Sequence, residues 1–102
     1  MLSRVAENLY WTARYIERAE NTARLISATS QVVLDLPSGA SFGWDVLPQV
    51  VGLDRLYAEA NPAHDEASIM HFLIADTSNP SSILSCVHSA RENSRRLRDV
   101  LP

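Results

Sequence analysis

A helical periodicity that runs unbroken from Ser3 to about Asp35 constrains this chain more than any other feature. Val5, Leu9, Ala13, Ile16, Ala19, Ala23 and Ile26 recur at steps of three and four, the spacing of one face of an α-helix. Ser3 suits the N-cap, and Leu36-Pro37-Ser38-Gly39 stops the element. At about 1.5 Å per residue such a helix is on the order of 45–50 Å long. That exceeds the ordinary globular helix and suits a bundle.

The rest of the chain is punctuated more often. Residues 37–43 form a Gly/Ser/Pro-rich loop, and Trp44 to about Val51 is expected as a short helix with Pro48 near its first turn. Gly52 interrupts it, Leu53–Ala60 supplies another turn or two, and Asn61-Pro62 breaks the pattern. Asp65 and Glu66 open a helix that lasts to Ala75, where acids complement the positive helix end. Asn79 is the expected N-cap and Pro80 the first residue of a final helix. That helix is expected to bury Ile83, Val87, Ala90, Leu97 and Leu101 and to turn His88, Arg91, Arg95 and Asp99 outward. No strand-like alternation with hairpin turns occurs, so the expected fold is all-α: a helical bundle with one long N-terminal helix, forming a single domain over residues 1–102. The sequence stops at Leu101-Pro102, straight after an arginine-rich helix, which implies a fragment of a larger helical domain.

Composition removes several function classes. No apolar run approaches the ~18 residues that span a bilayer, and no signal-like apolar segment follows Met1. Cys86 is the only cysteine, so no internal disulfide can form, and a cytoplasmic location is expected. All 9 basic residues are arginine, which excludes a Schiff-base lysine and a phosphate-loop lysine. Any anion held here is held by guanidinium groups. The arginines of the last helix do not imply nucleic acid, because the pI is near 5.5 and no aromatic residues interleave with them.

The long helix carries a second apolar side, Trp11, Tyr15, Thr22 and Leu25, with a polar strip of Tyr10, Arg14, Glu17, Asn21 and Arg24 between the two. Glu20 lies on the flank of the first stripe and Arg18 within the second side. A helix apolar on two sides is normally central in its bundle. Short companions can hardly cover both, so further helices beyond the C-terminus, a homo-oligomer or another protein are the expected cover. Enclosed Glu and Arg groups would then be either a clamp between helices or part of a pocket. The difference is large: an exposed pair contributes ~0.2–1 kcal/mol, whereas stranding one buried partner costs ~3–5 kcal/mol.

Other constellations carry less. Glu17 and Glu20 could serve acid–base chemistry, but arginine-paired carboxylates stay ionised and donate protons poorly. Glu20-Asn21-Thr22-Ala23-Arg24 is echoed by Glu92-Asn93-Ser94-Arg95-Arg96, yet the two segments face differently and the echo is best taken as coincidence. His64, Asp65, Glu66 and His71 lack metal-ligand spacing, and helix capping accounts for the acids, so no metal is expected. Cys86 lies beside the apolar stripe of its helix and is expected to be a buried, inert thiol.

Two blocks of sequence resemble a known family. Met1-Leu2-Ser3-Arg4-Val5-Ala6-Glu7-Asn8-Leu9-Tyr10-Trp11 with Arg14-Tyr15-Ile16-Glu17-Arg18-Ala19-Glu20-Asn21 is similar to the opening of the alpha-E domain family, named for its helices and its Glu-Arg motif. Phe72-Leu73, Asp76, Asn79-Pro80-Ser81-Ser82-Ile83, Cys86, Ala90-Arg91-Glu92-Asn93 and Arg98-Asp99 form the second block. The match covers nearly the whole chain and resembles the N-terminal third of that domain. It implies a polar site with Glu17 and Arg18 at its centre and Arg14, Glu20, Asn21 and Arg24 around them. The second block would add Asp76, Asn79, Arg91, Glu92, Asn93 and Arg98. By resemblance the chain is an accessory or interaction module of an ATP-grasp-type peptide or amide ligase system, with ATP-grasp-type or transglutaminase-like proteins as partners. The alternative is part of an enzyme of peptide or amide modification that uses the Glu/Arg site. Nothing in the residues implies a cofactor.

Overall fold

A computed structural model describes residues 2–60 and 63–100, the side chain of Val100 excepted. Five helices follow one another: α1 (Leu2–Leu34), α2 (Val46–Val50), α3 (Asp54–Ala60), α4 (Glu66–Ile74) and α5 (Ile83–Val100). No strand occurs among the described residues, so the fold is all-α with one long N-terminal helix, as expected. Leu101 and the Asn61-Pro62 break lie outside the described residues.

Local chemistry sets the breaks. Gly52 (φ 76°) ends α2 in a left-handed conformation, with Leu53 N–H donating to Pro48 C=O (2.8 Å) and Gly52 N–H to Gln49 C=O (3.1 Å). This is the paired closure of a Schellman motif, which satisfies carbonyls that the helix end would leave open. Asp65 caps α4 by accepting from Ser68 N–H at 3.0 Å.

One expected start is corrected. Asn79 and Pro80 do not open α5, which begins three residues later at Ile83. Asn79 is fully buried, donates from Nδ2 to Phe72 C=O (2.9 Å) and accepts from Ser81 N–H (3.0 Å). Its amide ties the end of α4 to the turn before α5, which leaves Ser82 Oγ to accept from Ser85 N–H at 3.1 Å and cap the helix.

The apolar core is off-centre. Leu47, Tyr57, Ile69, Phe72 and Leu73 are buried together where α2, α3 and α4 meet, with Leu25 and Ile26 of α1 packed against them. Each such side chain contributes on the order of 1.5–3 kcal/mol by leaving water. The remainder of α1 packs along α5, and the pair is antiparallel: Arg18 shares a cleft with Ser81, while Tyr15 shares another with Arg96. Among the less exposed positions along α1, Val5, Asn8, Thr12, Tyr15, Ala19, Thr22, Ile26 and Thr29 form a row of alternating steps of three and four, with Arg18 and Leu25 at its edge. Ile83, Cys86, Ala90, Asn93 and Leu97 repeat the rhythm on α5. That is a seven-residue seam built largely of small and polar side chains.

The seam covers one face of α1 within this chain, and that face coincides with neither of the two expected sides. Leu9 and Ile16 of the expected stripe are 54% and 47% exposed, and Trp11 on the other side is 41% exposed. One face, taking part of each expected side, is covered. Val87, expected inside, is also exposed. The molecule measures 59 × 28 × 17 Å with a radius of gyration of 16.6 Å, against roughly 13 Å for a compact chain of about 100 residues. The thinnest dimension leaves room for little more than one helix and its side chains on a neighbour.

Candidate functional site

The position of α1 on α5 decides which polar groups meet. Helical phase turns Arg18 toward α5 and its neighbour Glu17 away, because adjacent helical residues do not face each other. Glu17 therefore does not pair with Arg18. It takes Arg14, three residues earlier on the same helix face, at 3.6 Å. Both side chains stand in solvent, 60% and 44% exposed. Glu20 pairs with Arg24 at 3.2 Å, and Arg24 also donates to Asn21 at 3.1 Å. The enclosure expected of these residues, whether as a clamp or as part of a pocket, is not supplied by the described part of this chain, since every one of them except Arg18 is exposed.

The structure gathers part of the expected site and scatters the rest. Arg14, Glu17, Arg18 and Asn21 line one wall of a 490 Å³ cleft, with Val50, Val51 and Leu53 from the α2–α3 junction opposite. Glu20 and Arg24 lie outside it. Asn79 is buried beneath the turn whose Ser81 reaches the cleft. On α5, Glu92 and Asn93 edge a second depression beside Tyr15, while Arg91 and Arg98 belong to a third, beside Ser94 and Arg95. Glu92 is paired with Arg95 (3.5 Å), and Arg96 donates to Asn93 (3.4 Å). The echoed segments face differently, as expected: Asn93 is buried in the seam and Asn21 is exposed.

The remaining candidates are occupied elsewhere. His64 Nδ1 shares a 2.7 Å hydrogen bond with Asp45 Oδ1, joining the approach to α4 to the start of α2 rather than to His71. Tyr57 donates to Ala63 C=O and stacks edge-on against Phe72 at 4.9 Å. Burial pushes the Tyr57 phenol up, with the Asp65 and Asp45 carboxylates adding to the effect. Cys86 is fully buried in the seam, and burial raises its thiol against the opposing pull of Arg18. A neutral thiol is a poor nucleophile, so Cys86 is fitted for packing.

The Alpha-E profile, described as a predicted alpha-helical domain with a conserved ER motif, matches residues 1–102. The chain belongs to the Alpha-E family. No curated protein and no solved structure matches it. Within this Alpha-E chain Glu17-Arg18 is the only Glu-Arg dipeptide; both members line the 490 Å³ cleft, and Arg18, about 100° further round the helix, also borders a second cleft that Glu17 does not reach. Sequence reasoning missed Tyr15, Ser81, Ser85 and His88, which border Arg18 in a further cleft of 520 Å³. A signal was present: Tyr15 and Arg18 lie three apart, and so do Ser85 and His88, which puts each pair on one side of its helix.

Proposed function

We propose that this Alpha-E chain is a docking module, and that an ATP-grasp-type peptide or amide ligase is the partner whose helices cover the open faces of α1. The observation that carries the reading is the row of exposed apolar side chains beside the seam, Leu9 at 54% and Ile16 at 47%, with Trp11 at 41% on the other flank. A helix whose one side is packed and whose flanks remain apolar has surface to share with another helix. The choice of a ligase rests on the family resemblance. Catalysis by Glu17 and Glu20 gains little from this geometry, because each carboxylate is solvated and paired with an arginine on its own helix.

Co-purification of the chain with an ATP-grasp-type ligase from the same genome tests the reading. The pair should form a complex of defined mass, and Leu9→Asp with Ile16→Asp should abolish it while the helical circular dichroism stays unchanged. A ligase held equally well by the double variant, or never held by the parent chain, would contradict the proposal.

A further inference from the structure

Arg18 differs from the arginines around it. Arg14, Arg24 and Arg95 each have a carboxylate within 4 Å, at 3.6, 3.2 and 3.5 Å. Arg18 has none among the described residues, yet it is half-buried. Its described electrostatic neighbour is the Cys86 thiol, which supplies no counter-charge while neutral. A guanidinium partly withdrawn from water gives up hydration, and no carboxylate among the described residues lies within 4 Å to compensate. What surrounds it instead is hydroxyl-rich: two clefts share Arg18 and Ser81, and the second adds Tyr15, Thr77 and Ser85.

We propose that Arg18 is the receptor for a single carboxylate, bound from the cleft between α1 and α5, with the hydroxyls of Tyr15, Ser81 and Ser85 completing its hydrogen bonds. Charge selects the class of ligand. Among the described residues the fixed charges lining the two clefts are Arg14, Arg18 and Glu17, and Arg14 and Glu17 neutralise each other. One carboxylate balances what is left, whereas a phosphate dianion would leave excess negative charge. The planar guanidinium fork also matches a carboxylate in two parallel hydrogen bonds. The group can belong to a free acid or to a Glu or Asp on a docking helix. The inference goes beyond the docking reading, because free acetate tests it without any protein partner.

The test titrates the isotopically labelled full chain with acetate, with acetamide and sodium chloride as matched controls, and follows the side-chain Nε–H signals of the arginines. Acetate should move the Arg18 signal saturably, and the controls should not. Arg18→Lys should weaken acetate binding at least about tenfold, because a point charge replaces the fork. Tyr15→Phe, which removes a hydroxyl without a described hydrogen bond, should weaken it several-fold, and Arg55→Gln on α3 should leave it unchanged. A helical peptide carrying one Glu, compared with its Gln counterpart, separates the sources. Tighter binding of the Glu peptide than of acetate supports a receptor for a helix-borne group, and equal or weaker binding supports one for a free acid. A shift that does not saturate and is shared by exposed Arg4 and Arg55 would overturn the proposal. So would tighter binding of inorganic phosphate than of acetate.

Discussion

Asn79 ties more of the structure together than its size suggests. Its amide serves the last carbonyls of α4 and the turn that launches α5, in full burial. Asn79→Ala leaves Phe72 C=O and Ser81 N–H short of a partner, and a loss of about 2–3 kcal/mol is expected in urea unfolding with an unchanged slope. Ser82→Ala removes the cap together with the hydroxyl's donation to Ser85 Oγ (2.9 Å) and should cost about 1–2 kcal/mol. The sequence signal of Asn-Pro at a helix start was legible, but it located the turn and not the helix. Nothing in Asn79 itself announces that its side chain is needed by a carbonyl seven residues earlier.

Titration belongs to the same scale. Cys86 and Tyr57 have folded-state pKa values above their ordinary ones, chiefly through burial. A group raised in this way stabilises fully below its unfolded pKa and loses that contribution as pH climbs toward the folded value. The urea midpoint should therefore fall above about pH 8.5 and again above about pH 10, and Cys86→Ala should remove the first decline. Asp65 has the opposite sign. Its hydrogen bonds with the Ser68 side chain and backbone N–H depress its pKa, so its contribution is present above about pH 4 and disappears as acid protonates it.

At the scale of elements, the contrast between seam and surface can be measured. Ala90 is 7% exposed against α1, and Ala90→Leu should overpack the pair and destabilise it by about 1–3 kcal/mol. A double-mutant cycle on Glu20 and Arg24 should return a coupling below about 0.5 kcal/mol, since both ends are in water. The helices themselves were readable from periodicity, and α1 and α4 fall within a residue or two of their expected limits. The packed side of α1 was not. Counting large apolar residues favours Leu9 and Ile16, while the actual contact runs through Asn8, Thr12, Tyr15, Ala19 and Thr22. Small and hydroxylated residues let two backbones approach, and a hydropathy count gives them no weight. The same blindness hid the hydroxyl lining around Arg18, although Arg14, Glu17, Arg18 and Asn21 were legible as one polar group and do share a cleft.

At the scale of the whole molecule, the chain is longer and thinner than its residue count requires, and its indoles report on that shape. In a Trp44→Phe variant Trp11 is the sole indole, and acrylamide should quench it readily. Adding a ligase that docks on α1 should protect it and move its emission to the blue. An indole already shielded in the free chain would mean that the flank is occupied without a partner.

The long helix also rests on two unlike supports. Toward its C-terminal half it leans on an oily knot of aromatic and branched side chains, whereas its first half is steadied by a thinner row of Val5, Asn8, Thr12, Tyr15 and Ala19. Such a beam does not let go all at once. Its amides should exchange with deuterium from the Leu2 end inward, so that the opening turns come and go many times for each complete unfolding. A partner arriving there would meet a moving tip, and part of its binding energy would go into stilling it.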